Sequence, residues 1–299
     1  MTFAELKPHI HNCLQPLYTK SEINSFYFIL LQHYGNYTTA EVLANADTLL
    51  TNNITKAIQQ AITELQTAKP IQYILGETEF FSNRFFVDEN VLIPRPETEE
   101  LVDWVLQTYP DKTYPLHILD IGTGSGCIAV SLAKALPKAQ VTAIDVSPKA
   151  IAVAQRNAEC NGVKIQFLRR DILQTETLPE KYDVIISNPP YVREVEKTEM
   201  HSNVLSYEPH LALFVPDERP LLFYEQIATL AQQYLKPEAS LFFEINQYLA
   251  AEMQAMLTQK NFAEITLRQD LSGNDRMLCA RTFTKVKQYQ FNITKTDLQ

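Results

Sequence analysis

The chain of 299 residues lacks most of what would mark a metalloprotein, a membrane protein or a nucleic-acid clamp. Its four cysteines, Cys13, Cys127, Cys160 and Cys279, lie far apart and form no metal-type pair. No metal is expected, and reduced thiols are the simplest state. No apolar run approaches the ~20 residues of a membrane span. The first eight residues carry Glu5 and Lys7 and have no apolar core, unlike a signal peptide, so a cytoplasmic location is expected. Basic residues are outnumbered: 26 Lys and Arg against 35 Asp and Glu leave a formal charge of −9. The densest basic spot, Arg169-Arg170, is followed at once by Asp171. Proteins that grip duplex nucleic acid usually show a basic surplus or patch, so no direct nucleic-acid contact is expected. The acidic balance either suits a basic partner through long-range attraction or simply aids solubility. Internal repeats are missing, and residues 1–70 hold a single glycine, Gly35.

What remains is an ordinary globular composition, 45% apolar and 20% charged, with a length that suggests about two domains. Residues 1–70 read as a small helical domain. Ser21-Glu22-Ile23-Asn24 and Thr38-Thr39-Ala40-Glu41 look like helix starts, and Ile54, Ala57, Ile58, Ala61, Ile62 and Leu65 share one helical face. Such a unit either binds a partner or braces the core. Residues 71–95 read as a β-hairpin linker, with extended runs at 77–81 and 84–87 around a Ser82-Asn83 turn. The acids Glu97, Glu99 and Glu100 open a helix over 98–108.

From residue 116 strands and helices alternate. Strands are expected at 116–121, 140–145, 164–169, 182–187 and 239–246, and helices at 126–136, 148–160, 219–234 and 249–259. Alternation of this kind predicts an α/β fold with a parallel, doubly wound, Rossmann-like sheet over residues 96–284. Phe262–Gln269 and Arg276–Arg281 read as an antiparallel edge hairpin around Ser272-Gly273-Asn274. Residues 285–299 read as a polar tail.

Two stretches carry chemistry. After the first sheet strand comes Gly122-Thr123-Gly124-Ser125-Gly126. Glycines between a strand and a helix let a cofactor approach the backbone. The spacing is G-x-G-x-G, not the dinucleotide G-x-G-x-x-G. Asp120, just before the loop, suits a cation better than a pyrophosphate. Both points favour S-adenosyl-L-methionine, which carries an amino acid and a sulfonium. Asp145 stands about 20 residues on, where an acid takes ribose hydroxyls; a cap for the helix at Pro148 is the alternative, and its side chain can do both jobs. Asp171 and Ile172 can hold the adenine amino group and cover its ring; a solvated loop acid is the alternative for Asp171.

The second stretch is Asn188-Pro189-Pro190-Tyr191, a stiff turn at the end of the apolar strand 182–187. Its amide acceptor, proline carbonyls and aromatic ring suit a flat, neutral NH2 group attached to a carbonyl or a ring. An ordinary strand-closing turn is the alternative.

With these motifs the sequence strongly resembles the protein-glutamine methyltransferases that modify bacterial peptide chain release factors. The resemblance covers most of the chain. It is carried by Pro70-Ile71-Gln72-Tyr73-Ile74-x-Gly76, Leu92-Ile93-Pro94-Arg95-Pro96-Glu97-Thr98-Glu99, the 119–130 loop, the 188–191 turn and Asp270-x-x-Gly273-x-Asp275-Arg276. It implies a class I methyltransferase fold and a substrate, the glutamine of the Gly-Gly-Gln loop in class I release factors. It also implies that the N-terminal helical domain docks the factor. A monomer is expected. Three turns depart from the family pattern: Asp217-Glu218-Arg219-Pro220 and Pro237-Glu238-Ala239 stand where glycines are usual, and Glu244-Ile245-Asn246 replaces Glu-Ile-Gly.

The expected reaction is direct displacement. Asn188 and the Pro189 carbonyl accept the two NH2 hydrogens, Tyr191 forms a wall over the amide plane, and positioning supplies most of the acceleration. Arg95 and Glu97 order the loop over the cofactor, steer the substrate, or form a structural ion pair. The rival enzyme is an adenine-N6 methyltransferase, which would need base flipping and a basic groove. The rival of another class is a non-catalytic S-adenosylmethionine-binding adaptor.

Overall fold

The computed structural model describes residues 1–282. The 285–299 tail therefore lies outside the described residues. Four helices pack around their own core in the N-terminal part: α1 (Phe3–Leu14), α2 (Lys20–Gly35), α3 (Thr39–Ala44) and α4 (Asn52–Leu65). Thr2, Thr19 and Thr38 each form a capping box with the glutamate three residues on. The start expected at Ser21 is thus at Thr19, because Glu22 is the third residue of the turn and closes the box. On α4, Ile58, Ala61, Ile62 and Leu65 are buried as their spacing predicts.

The linker opens with a short helix that the sequence reading missed, α5 (Ile71–Leu75), ended by Gly76 at φ 73°. Strands β1 (Glu77–Phe80) and β2 (Asn83–Phe86) follow. Their two-residue turn is Phe81-Ser82, one position earlier than expected, with both residues at positive φ. Helix α6 (Pro96–Thr108) then starts at a proline that needs no backbone donor.

The catalytic-type domain is a seven-stranded sheet. Its strands are β3 (His117–Ile121), β4 (Gln140–Asp145), β5 (Gln166–Arg169), β6 (Tyr182–Ser187), β9 (Leu235–Glu244), β10 (Phe262–Gln269) and β11 (Asp275–Thr282). Two short strands, β7 (Val192–Arg193) and β8 (Phe214–Val215), pair with each other outside it. The order is β10-β11-β9-β6-β3-β4-β5. Strands β9 to β5 in that order are parallel, and the β10–β11 hairpin is antiparallel at one edge. Helices α7 (Cys127–Ala135) and α8 (Pro148–Cys160) join α6 on one face. Helix α9 (Ser202–Tyr207) lies in the excursion between β7 and β8, while α10 (Leu222–Tyr234) and α11 (Ala250–Gln259) cover the other face. The chain runs β3, β4, β5 and then crosses to β6 on the other side of β3. The order reverses there, and open sheets bind ligands at such a point.

No helix among the described residues is long and apolar enough to cross a membrane, and no His, Cys, Asp and Glu group there is arranged to hold a metal ion.

One departure from the family pattern now has a cost. Glu238 is exposed and sits at φ 63°, in the left-handed region, inside a register shift between β6 and β9. A side chain there is strained where glycine is not. Glu238→Gly should raise stability by about 0.5–1 kcal/mol in urea denaturation. An unchanged or lower midpoint would mean that the bulge carries no strain.

Candidate active site

The Gly loop and the Asn-Pro-Pro turn leave neighbouring strands at the same end, because Ile121 of β3 is in register with Ser187 of β6. Glycine is needed at the loop. Gly122, Gly124 and Gly126 have φ of 75°, 54° and 81°. A Cβ on Gly126 would lie 3.0 Å from Ala154 Cβ, so this glycine lets α8 approach. At Gly122 the Asn188 carbonyl oxygen is the nearest atom, 3.9 Å from a Cβ position, and at Gly124 that space is open. Backbone is therefore exposed to a cavity of about 250 Å³ between loop and turn.

The cavity is lined by Gly122, Thr123, Gly124, Ser125, Asp145, Asp171, Ile172, Asn188, Pro189 and Pro190 among others. The structure thus brings together residues that the sequence places on four strand ends. Gly126 stands behind the loop, against α8. Asp145 Oδ2 accepts the Gly124 N–H at 2.9 Å and Oδ1 accepts the Ser147 N–H at 2.9 Å. The cap of α8 is Ser147, not Asp145. Burial raises the Asp145 pKa, and these backbone donors oppose it. Asp171 Oδ1 accepts the Leu173 N–H at 3.0 Å, and Ile172 is buried beside it.

Three expectations are corrected. Tyr191 does not line the cavity. Its hydroxyl donates to Glu244 Oε1 at 3.0 Å and its ring packs on the core, because a buried carboxylate draws the phenol inward. Arg95 pairs with the buried Glu208, whose other oxygen accepts the Ile93 N–H at 3.2 Å, rather than with Glu97. That pair ties the 89–98 wall of the cavity to α9.

Asp120 likewise does not reach the cavity. It is fully buried and accepts the Thr123 hydroxyl at 2.6 Å. Burial pushes its pKa up to about 7. A raised carboxyl pKa means that the folded state holds a proton the unfolded chain has lost. Stability therefore falls as pH rises from about 4 to about 7. Asp120→Asn has no such proton to lose. Its stability relative to the native chain should rise by about 2 kcal/mol between pH 5 and pH 8 in urea titrations. A difference independent of pH would show that Asp120 is ionised throughout. Burial also pushes the Cys127 thiol up to about 12, so it stands by the cavity as an uncharged group, unsuited to act as a nucleophile.

Several residues at the site escaped the sequence reading. Asn188 Nδ2 donates to Thr98 Oγ1 at 3.2 Å, and Thr98 Oγ1 donates to Glu244 Oε2 at 2.6 Å. Asn157, fully buried on α8, accepts the Phe86 N–H at 2.6 Å and donates to the carbonyls of Phe86 (2.9 Å) and Ser125 (2.8 Å). Asn246, where the family usually has glycine, donates to the Tyr191 carbonyl at 3.1 Å and to Glu196 at 2.9 Å, so it pins the segment after the turn. The Thr98 and Glu244 motifs were visible, but nothing in the sequence pairs them.

The family described as "Methyltransferase small domain" matches residues 103–207, and "PrmC N-terminal domain" matches residues 11–76. The release factor glutamine methyltransferase of Flavobacterium psychrophilum is 51% identical, over 93% of this chain and 98% of its own. That of Bacteroides thetaiotaomicron is 42% identical, over 91% and 97%. A solved methyltransferase structure from Pyrococcus furiosus shares the fold alone, with a TM-score of 0.51 at 15% identity over 78% of this chain and 100% of that one. With relatives of that similarity matched along nearly their whole length, the chain belongs to the release factor glutamine methyltransferase family.

Proposed function

We propose that the chain methylates the side-chain amide nitrogen (N5) of the glutamine in the Gly-Gly-Gln loop of class I peptide chain release factors. S-adenosyl-L-methionine supplies the methyl group, as an electrophilic carbon on a sulfonium. The observation that carries the reading is the shared cavity. Exposed glycine backbone lies on one side of it and the Asn-Pro-Pro turn on the other.

The residues fit such a cofactor. Gly122–Ser125 offer backbone, with open space at Gly124, for its amino-acid end. Asp145 keeps lone pairs for ribose hydroxyls beyond those used by Gly124 and Ser147. Asp171 and Ile172 pair an acceptor with an apolar face, as an adenine amino group and ring require. On the substrate side, Asn188 Oδ1 and the Pro189 carbonyl accept the two amide hydrogens and aim the nitrogen. An amide nitrogen is a weak nucleophile, so holding it in line is worth roughly 7–11 kcal/mol at best. Pro189 and Pro190 keep the turn rigid while this happens.

The N-terminal helices are proposed to dock the factor. Their core extends onto α5 through Ile71, Ile74 and Leu75, and polar contacts join Thr67 to Tyr207 (2.8 Å) and His33 to Glu77 (2.9 Å). Removing residues 1–70 should spare cofactor binding and raise the KM for an intact release factor about ten-fold or more, the equivalent of one well-made contact. A folded truncation with native KM would end the docking role. The same reading has the chain act as a cytoplasmic monomer.

The test of the function is mass spectrometry of release factors incubated with the protein and S-adenosylmethionine. One methyl on the glutamine-bearing peptide is expected. Methyl transfer only to nucleic acid, or to nothing, would overturn the reading.

A further inference from the structure

We propose that Glu244, acting through Thr98, fixes which way round the Asn188 side-chain amide stands, so that both are positioning residues for methyl transfer. The inference rests on the reading of Asn188 as the clamp on the substrate amide.

The three residues come from distant parts of the chain and form one relay. Asn188 Nδ2 is 3.2 Å from Thr98 Oγ1, which is 2.6 Å from Glu244 Oε2. Tyr191 closes the other carboxylate oxygen at 3.0 Å. Thr98 and Glu244 are each 2% exposed, so water does not compete for these bonds.

Counting protons gives the relay its direction. An ionised carboxylate only accepts, and a threonine hydroxyl has one proton to give. That proton goes to Glu244. Thr98 Oγ1 can then only accept from Asn188, so the NH2 end of the amide must face Thr98. The carbonyl end is left for the cavity that both residues line. A glutamine amide arrives with two donors and needs an acceptor there. Shape alone does not choose between the two orientations, because the oxygen and nitrogen ends of an amide are nearly equal in size. Turned the other way, Asn188 would set a donor against a donor.

The carboxylate itself is held in place. Burial, with the Glu97 charge, leaves the Glu244 pKa raised against the pull of the Thr98 and Tyr191 hydroxyls and the Arg276 charge, and each carboxylate oxygen stands as the acceptor of one hydroxyl. Arg276 is fixed in turn by Asp270 at 3.1 Å.

The experiment uses the full chain with Thr98→Val, Thr98→Ser, Glu244→Gln and the Val–Gln double variant. Valine keeps the shape of threonine and removes the relay. It should lower kcat about ten-fold, the rate equivalent of one hydrogen bond, with cofactor affinity and KM largely unchanged. Serine should restore the rate. Glutamine offers one acceptor to two hydroxyls and should lower kcat as well. The double variant should be no slower than Thr98→Val, because both changes break the same relay. Multiplying effects, or native kcat in Thr98→Val, would overturn the proposal. A second readout does not depend on methylation. The Asn188 side-chain amide resonance, assigned by its loss in Asn188→Asp, should shift in Thr98→Val and return in Thr98→Ser. A resonance unmoved by valine would also overturn the relay, whatever the native chain methylates. A native chain that methylates no release factor, with the resonance behaving as expected, would instead count against the functional reading alone.

Discussion

Asn188→Ala will lower kcat by about 10²-fold and leave cofactor affinity nearly unchanged, because what is lost is the aim of the attacking nitrogen. The contact tightens as the nitrogen gives up its lone pair, so its loss falls on the transition state more than on binding. Asn188→Asp is the sharper variant. It keeps an acceptor of similar size toward the cavity but adds a charge beside a cationic cofactor. That charge stabilises the ground-state sulfonium, whose charge disappears on transfer. It also turns an acceptor toward Thr98 Oγ1, whose proton is already given to Glu244. Binding should be retained and turnover reduced. Single-turnover methylation of a release factor reads both variants. A near-native rate in either would leave Asn188 as a shaper of the turn only.

Asp145→Ala should weaken S-adenosylmethionine binding by about 1.5–3 kcal/mol, the range of charge-assisted hydrogen bonds. Part of that loss is indirect. The carboxylate accepts the Gly124 and Ser147 N–H groups, so its removal also frees the loop and the start of α8. Titration calorimetry on the folded variant measures the sum. Asp145→Asn, which offers one side-chain oxygen in place of two, should fall between the two. Native affinity in the alanine variant would remove Asp145 from the cofactor site.

The parts of the fold that were legible are those with a period. The alternating apolar runs predicted β4, β6, α8 and β10 residue for residue. Boundaries slipped where local chemistry competes with pattern. Helix α10 begins at Leu222, after the Arg219-Pro220 turn, and β9 runs back to Leu235 through the Glu238 bulge. The excursion 192–221 has short elements and no period, so neither its strands nor α9 could be read. At the site, the strand-end acids and the stiff turn were legible because each lies at or just past the end of a sheet strand. Side-chain direction was not. Tyr191 turns away from the cavity because of a carboxylate 53 positions later, and Arg95 finds its partner 113 positions away. Such pairings exist only once the sheet order brings β9 and α9 beside the turn.

Asn157 has a consequence for local opening. One buried side chain is bonded to both backbone groups of Phe86 on the hairpin and to the Ser125 carbonyl of the Gly loop. Peeling the hairpin away would strand polar groups in the interior, at a cost of about 1–3 kcal/mol each. The hairpin and the cofactor loop therefore belong to one cooperative unfolding unit. In the denatured chain they are separate pieces of sequence; in the native chain the fraying of one strands the polar groups of the other.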